Sequence, residues 1–329
     1  MPSVIITSEP LFRADGPHLE LLRAADFEIL LPDRPALVTE EETVDCLAQA
    51  DAVIAGSDPL SDRVLSQLKR LRVISRCGVG YDKVDVEAAT RQGIAVTITP
   101  HGNREGVAEH TLALVLALAR GIVTHNDSVR VGQWGKPRLV PLRGRTLGLI
   151  GVGRIGQSVA QRASAFGLRI LGFDPLADEI AVKRCSVTLV NLETLLRTSD
   201  FVSLHAPLSP QTLRLINKTT LGLMKPSAFL VNTARGGLID EGDLVAALTS
   251  GQLAGAGLDV LVDEPPPVDH PLLALPNVVI SPHVAGNDTQ SIEDMAVAAA
   301  QNVVDLYHGR WPADCVVNPE VRSRWSWSR

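Results

Sequence analysis

Short runs of apolar, mostly β-branched residues recur along this chain, separated by stretches with helical spacing. Val4-Ile5-Ile6-Thr7, Ala52-Val53-Ile54-Ala55, Val73-Ile74-Ser75 and Ile94-Ala95-Val96-Thr97 read as strands buried on both faces. Residues 17–25, 40–49, 61–67 and 85–91 lie among them, with polar starts and a helical period. Such alternation predicts a parallel sheet with helices on both faces. A second series begins near Arg145, with strands at Thr146-Leu147-Gly148-Leu149-Ile150, Arg169-Ile170-Leu171-Gly172-Phe173 and Phe201-Val202-Ser203-Leu204. It continues through Ala228-Phe229-Leu230-Val231, Ala254-Gly255-Ala256-Gly257-Leu258 and Val278-Val279-Ile280. The fold class expected is α/β, with two doubly wound parallel-sheet domains around a cleft.

Three segments stand outside that alternation. Residues 105–120 are apolar almost all round (Val107, Leu112, Ala113, Leu114, Val115, Leu116, Ala117, Leu118). A helix of that kind must be buried on most sides, which places it between domains or in a subunit interface and favours a homodimer. The last helical pattern, 289–308, follows the second sheet and is expected to return to the first domain. The domains expected are therefore 1–100 plus 288–329, discontinuous, and 101–287, with hinges near 99–101 and 286–289. The tail beyond Asn318, ending Arg324-Trp325-Ser326-Trp327-Ser328-Arg329, has no periodic pattern and reads as a loose or partner-covered terminus.

Composition narrows the function classes. A net charge of −6 with acids and bases intermixed argues against nucleic-acid binding. The four cysteines, Cys46, Cys77, Cys185 and Cys315, are too far apart in sequence for a metal or disulfide framework, and free thiols suit a reducing cytoplasm. The N-terminus has neither a basic region nor a long apolar run, and no apolar stretch approaches the ~20 residues of a bilayer span. No metal, membrane or nucleic-acid partner is expected.

The strand at 146–150 runs into Gly151-Val152-Gly153-Arg154-Ile155-Gly156 and then a helical stretch, 157–166. Alone, that spacing is weak evidence; strand, glycine loop, helix, strand and acid in succession are much stronger. Gly151 permits the tight turn, Gly153 lets backbone approach a pyrophosphate, and Gly156 lets helix and strand pack, while the helix N-terminus attracts phosphate. Asp174 ends the next strand, 18 residues after Gly156. A carboxylate there accepts from both ribose hydroxyls and repels a 2′-phosphate, favouring NAD over NADP.

Downstream stand a cation, a carboxylate and an imidazole, each just past a strand: Arg235, Glu264 and His283. Reduction of a 2-oxo acid needs a cation to hold the carboxylate and polarise the ketone, a proton donor titrating near neutrality, and a group to keep that donor charged and aimed. Arg235 suits the first need, His283 the second and Glu264 the third. Each residue alone has a structural reading, as a turn residue, a cap before Pro265 or a histidine after Pro282. Together, in phase with one sheet edge, they read as chemistry.

These residues also carry a resemblance. Arg76-Cys77-Gly78-Val79-Gly80-Tyr81-Asp82, the glycine loop, His205-Ala206-Pro207-Leu208, Val231-Asn232-Thr233-Ala234-Arg235-Gly236-Gly237 and Ser281-Pro282-His283-Val284-Ala285-Gly286 occur in one order from about residue 50 to 310. In them the chain resembles the D-isomer-specific 2-hydroxyacid dehydrogenases, most closely the phosphoglycerate dehydrogenase-like branch. The resemblance implies a flavodoxin-like substrate domain, a Rossmann NAD-binding domain, and the three roles just argued. It implies cofactor contacts at Gly151, Gly153, Arg154, Ile155, Gly156, Asp174, Ala206, Pro207, Thr233, Ala234, Arg235, Asp259, His283, Ala285 and Gly286. It implies substrate contacts at Arg76, Gly78, Val79, Gly80 and Arg235.

Candidate substrates are 3-phosphoglycerate and hydroxypyruvate or glyoxylate. Arg76 matches one phosphate-facing position of the resembled branch, but Gly56 stands where a second cation is expected, and Ser57 and Asp58 are not basic. Lys136 and Arg138, near Trp134, are implied to reach a neighbouring subunit's site. An alternative function within the same fold family is an NAD-sensing, corepressor-like scaffold that binds other proteins.

Overall fold

The computed structural model describes residues 1–34 and 37–327. The chain divides into two compact units, Met1–Asn103 with Asn287–Arg329, and Arg104–Gly286.

In the first unit β1 (Ser3–Ile6), β2 (Glu28–Leu30), β3 (Ala52–Ala55), β4 (Val73–Arg76) and β5 (Ala95–Thr97) form one sheet. The order is β2-β1-β3-β4-β5 and every pairing is parallel, the flavodoxin-like order expected. The direction of winding reverses between β1 and β3. In the second unit β6 (Thr146–Ile150), β7 (Arg169–Phe173), β8 (Val187–Leu189), β9 (Phe201–Leu204), β10 (Phe229–Asn232), β11 (Gly255–Leu258) and β12 (Val278–Ile280) run in the order β12-β11-β10-β9-β6-β7-β8, again all parallel. That is the Rossmann order, reversing between β6 and β9. The apolar pattern missed β2 and β8. Both are three-residue edge strands with exposed positions, so neither shows the run of core residues that marks a central parallel strand.

The helix Thr289–Tyr307 packs in the first unit, burying Ala296, Ala299, Ala300, Val303 and Leu306 among Val4, Ile6, Leu22 and Ile54. Ser75 Oγ donates to its Ala299 carbonyl at 2.9 Å, and its Asn302 side chain donates to the Ile98 carbonyl at 3.1 Å.

Two expectations are corrected. The all-round apolar helix, Arg104–Arg120, packs within its own unit, on β10, β11 and the helix Arg154–Ser164, with Ala113 left exposed and Leu116, Ala117 and Leu118 half-buried. Glycine in β11 makes this possible: a Cβ at Gly257 would come within 3.1 Å of Leu114 and 3.2 Å of Leu118. The unpartnered apolar side chains lie instead on the following helix, Ile122–Arg130, which has no buried residue. Nor is the C-terminal segment loose. Val321 is fully buried, the Trp325 indole N–H donates to the Arg72 carbonyl at 3.2 Å, and Trp327 meets Phe27 and Tyr307 edge-on with centroids 5.6 and 5.0 Å away. Aromatic contacts need no periodicity, so the pattern did not reveal them; Ser328 and Arg329 of that tail lie outside the described residues. Among the described residues no single helix is long and apolar enough to cross a membrane, and no cluster of His, Cys, Asp and Glu could hold a metal ion.

Trp327→Ala removes those edge-to-face contacts and is expected to lower unfolding stability by about 2 kcal/mol. Urea unfolding of the first unit's transition measures it. An unchanged midpoint would mean that the tail carries no stabilising contact.

Candidate active site

Parallel strands put every strand-to-helix turn of a unit at one edge, and the sequence-predicted residues of the second unit lie there. After β6, Gly151 turns with φ of +94°, and a Cβ on it would lie 2.6 Å from the His205 carbonyl carbon after β9. A Cβ at Gly156 would run into the Gly151 carbonyl oxygen, so the helix Arg154–Ser164 starts hard against the turn. At Gly153 a Cβ would meet no heavy atom within 4 Å, and no side chain caps the helix. That leaves an open approach to the first-turn N–H groups, which fits a pyrophosphate. Asp174 braces the loop: its carboxylate accepts from Val152 N and Leu176 N, both at 2.9 Å, and keeps acceptor capacity for a ribose. The half-buried His205 shares a 2.9 Å hydrogen bond with Ser203 Oγ, and desolvation by its surroundings pushes its imidazole down to about 4. Ala206 and Pro207 follow His205 at the same edge, half-buried and exposed respectively.

The trio follows the next three strands. Arg235 comes after β10 in a turn that Asn232 ties from within. Asn232 Oδ1 accepts from Ala234 N at 3.0 Å and its Nδ2 donates to the Arg235 carbonyl at 2.8 Å. Thr233 is turned inward, its hydroxyl 2.9 Å from that of Thr111. Arg235 itself is half-buried, with Nη1 donating to the Ala234 carbonyl at 2.6 Å. Gly236 lets this turn lie directly on the loop after β11, because any Cβ there would run into the Leu261 carbonyl and Val262 N. That contact of backbone on backbone brings the Arg235 loop beside the loop of Glu264. Glu264 Oε1 accepts from Leu261 N at 3.1 Å, and Oε2 meets His283 Nδ1 at 2.7 Å. Burial alone would raise the Glu264 carboxyl. The bond to and charge of His283, the Leu261 N–H and the Arg235 charge outweigh it and hold the carboxyl below its ordinary value.

His283 has a left-handed backbone, φ +54°, which costs a non-glycine residue energy unless its surroundings impose it. Asp259, 2% exposed, imposes it. Its Oδ1 accepts from Ser281 Oγ at 2.6 Å and Val284 N at 3.0 Å, its Oδ2 from Ala285 N at 2.9 Å, and its carbonyl from His283 N at 2.8 Å. His110 closes the network from the helix Arg104–Arg120, its Nε2 2.8 Å from Ser281 Oγ. Gly286 follows at the end of this turn and is half-buried. Asn232, Ser281 and His110 were missed from sequence. Asn232 had a signal, a polar residue at the last position of an apolar strand; His110 had none, since an amphipathic partner across the fold is invisible to local pattern.

In the first unit the predicted residues also share one edge, after β4. Gly78 N is already engaged, donating to Thr99 Oγ1 at 2.9 Å. Arg76 is buried, 7% exposed, with Nε donating to the Gly80 carbonyl at 3.0 Å, so it struts the Gly78-Val79-Gly80 loop from below.

Comparison with known proteins agrees with this arrangement. A family model described as "D-isomer specific 2-hydroxyacid dehydrogenase, NAD binding domain" matches residues 112–285, just over half of the chain. The chain belongs to the D-isomer-specific 2-hydroxyacid dehydrogenase family. It is 41% identical to glyoxylate reductase of Korarchaeum cryptofilum over 302 residues, 90% of this chain and 91% of that one. It is 39% identical to D-3-phosphoglycerate dehydrogenase of Methanocaldococcus jannaschii over 86% of its own length but only 55% of the relative's. The structure of TT0316 protein from Thermus thermophilus matches with a TM-score of 0.86 at 40% identity, covering 96% of this chain and 99% of that one. As a member of this family the chain is an NAD-dependent oxidoreductase.

The depressed Glu264 carboxyl gives a stability prediction with a definite sign. Its contribution is complete above the ordinary value of 4.5 and is lost as pH falls through the lower folded value. Unfolding of wild type and Glu264→Gln, compared from about pH 3 to 7, is expected to show a wild-type advantage near neutrality that shrinks in acid. An advantage that grows toward acid would contradict the geometry.

Proposed function

We propose that the chain reduces a small 2-oxo acid to its D-2-hydroxy acid, and catalyses the reverse, with His283 as proton donor and acceptor. The observation that carries this reading is the 2.7 Å pair of His283 Nδ1 with Glu264 Oε2, made at the same sheet edge as the open glycine loop. Because Glu264 occupies Nδ1, Nε2 is the nitrogen that gives its proton to the C2 oxygen as alkoxide charge develops. Glu264 keeps the imidazole ring oriented through that bond. Arg235 pairs through its guanidinium fork with the substrate carboxylate and polarises the C2 carbonyl. The dinucleotide is held by the Gly151–Gly156 turn, the N-terminus of the helix Arg154–Ser164, Arg154, Ile155, Asp174, the Ala206-Pro207 backbone and the Thr233–Ala234 turn. When bound, NADH supplies the hydride that C2 receives. Asp259, with Ala285 and Gly286 beside it, acts mainly by holding the turn of His283. At the first unit's edge the amides of Val79 and Gly80 are the anion-binding donors we assign, Gly78 N being committed to Thr99.

We also propose a homodimer through the helix Ile122–Arg130 and the segment beyond it, where Ile122, Val131 and Trp134 are 59, 73 and 78% exposed. Lys136 and Arg138 lie in that exposed segment, from which they would serve a partner subunit. The absence of a disulfide among Cys46, Cys77, Cys185 and Cys315 favours a cytoplasmic setting.

Purified protein with NADH and a panel of 2-oxo acids, followed at 340 nm, is expected to turn over at least one of them. His283→Ala is expected to lower kcat by ~10²–10⁴ while NADH still binds. NADH binding with no turnover of any 2-oxo acid would overturn the proposal, and so would near-normal kcat in the variant.

A further inference from the structure

Among the turns that meet at the second unit's edge, the loop carrying Glu264 has little structure of its own. From Asp259 to His270 the chain forms neither helix nor strand, and residues 262–265 and 267–269 are exposed, Val268 by 98%. Such a segment has no ladder of backbone bonds to fix it, so its shape depends on the few ties it makes. From inside it Glu264 has to stand within hydrogen-bond reach of His283.

Two of those ties end on one carboxylate outside the loop, that of Glu241, the first residue of the helix Glu241–Thr249. Its Oε1 accepts from Val262 N at 2.8 Å, two residues before Glu264, and its Oε2 meets His270 Nε2 at 3.1 Å, at the loop's other end. Leu272 N donates to His270 Nδ1 at 3.4 Å. A nitrogen that accepts carries no proton, so the proton is on Nε2 and is given to Glu241. Both side chains are largely shielded from water, His270 15% and Glu241 18% exposed, where such bonds are stronger than at an open surface.

Local roles account for only half of this. A carboxylate in a helix's first turn is favoured by the helix dipole, and His270 caps the 3-10 helix Pro271–Ala274 through Nδ1. Neither role requires one carboxylate to engage both residues 262 and 270, or His270 Nε2 to face it. The turn of Arg235, by contrast, is tied from within by Asn232, through bonds that Glu241 does not share.

We propose that Glu241 is a positioning residue for the proton-transfer pair: clasped by His270, it closes the base of the loop that carries Glu264 and so sets the reach of Glu264 Oε2 to His283 Nδ1. This rests on the dehydrogenase reading above and deepens it. Glu241 bonds to neither Glu264 nor His283; it acts through the backbone from Val262 to Glu264.

Initial rates with NADH and the best 2-oxo acid test it. Glu241→Ala is expected to lower kcat by about tenfold in the wild-type background, with KM for the 2-oxo acid within about twofold, and by less than about twofold in the Glu264→Gln background. A residue that merely stabilised the unit would cost the same in both. His270→Ala removes one tie only and is expected to lose part of that factor. His270→Gln, whose amide brings a donor near the place of Nε2, is expected to regain it. Independently of activity, the Val262 amide is expected to exchange hydrogen at least about tenfold faster in Glu241→Ala than in wild type. An undiminished kcat in Glu241→Ala, an equal loss in both backgrounds, or an unchanged Val262 exchange rate overturns the inference and leaves the dehydrogenase reading standing. Loss of NADH binding in both Glu241→Ala and His270→Ala does the same, because the clasp would then serve the fold alone. A wild-type rate in Glu264→Gln overturns it together with the role of Glu264, and a wild type that turns over no 2-oxo acid overturns the reading as a whole.

Discussion

The Asp259 carboxylate is the interaction on which the second unit's edge depends. It is buried at the end of β11, yet the donors that surround it belong to the turn after β12: the Ser281 hydroxyl and the Val284 and Ala285 amides. A buried carboxylate is costly unless it is saturated with donors, and these donors exist only when that turn is closed. Closing it forces His283 into a left-handed conformation and presents its ring to Glu264. The strain at one residue is therefore offset by the bonds of its neighbour, and the imidazole has little freedom to be anywhere else.

Two further constraints extend this arrangement. Parallel strands bring the turns after β6, β10, β11 and β12 to one edge without any long-range recognition between them. Glycine then decides how closely those turns approach. Gly236 seats the Arg235 turn on the loop of Glu264, Gly151 seats the dinucleotide loop on the backbone after β9, and Gly156 seats the helix on the Gly151 turn. The two units differ in charge at their edges. The second assembles Arg235, Glu264 and His283 with mixed sign, suited to moving a proton beside a hydride. The first carries Arg76, which braces the loop after β4 through the Gly80 carbonyl.

Much of this was legible in the order of residues. Central strands were visible because burial on both faces demands uninterrupted apolar runs, and the glycine loop because its spacing answers a phosphate. The trio was visible because each member directly follows such a run. The edge strands β2 and β8 were not visible, being short and half-exposed. The apolar girth of residues 104–120 points to an interface, whereas most of it packs within the second unit, Gly257 on the strand beneath admitting Leu114 and Leu118. The aromatic anchoring of Trp325 and Trp327 depends on partners far away in the chain, Phe27 among them, and no local pattern encodes that. The roles of Asn232, Ser281 and His110 likewise appear only when distant turns are brought together. The burial of Asp58 against the Thr7 hydroxyl and the Gly56 N–H likewise comes from the fold and not from any local pattern.

The central claim is that His283 and Glu264 work as one device rather than as two independent contributors. Residues that act as a unit lose function together, so their losses do not multiply. The most direct measurement is a double-mutant cycle on kcat/KM for the best 2-oxo acid, using His283→Ala, Glu264→Gln and the double variant, each checked for NADH binding. The account predicts that the double variant is no slower than His283→Ala by more than about threefold, however large the single Glu264→Gln loss. Losses that multiply in full would contradict it.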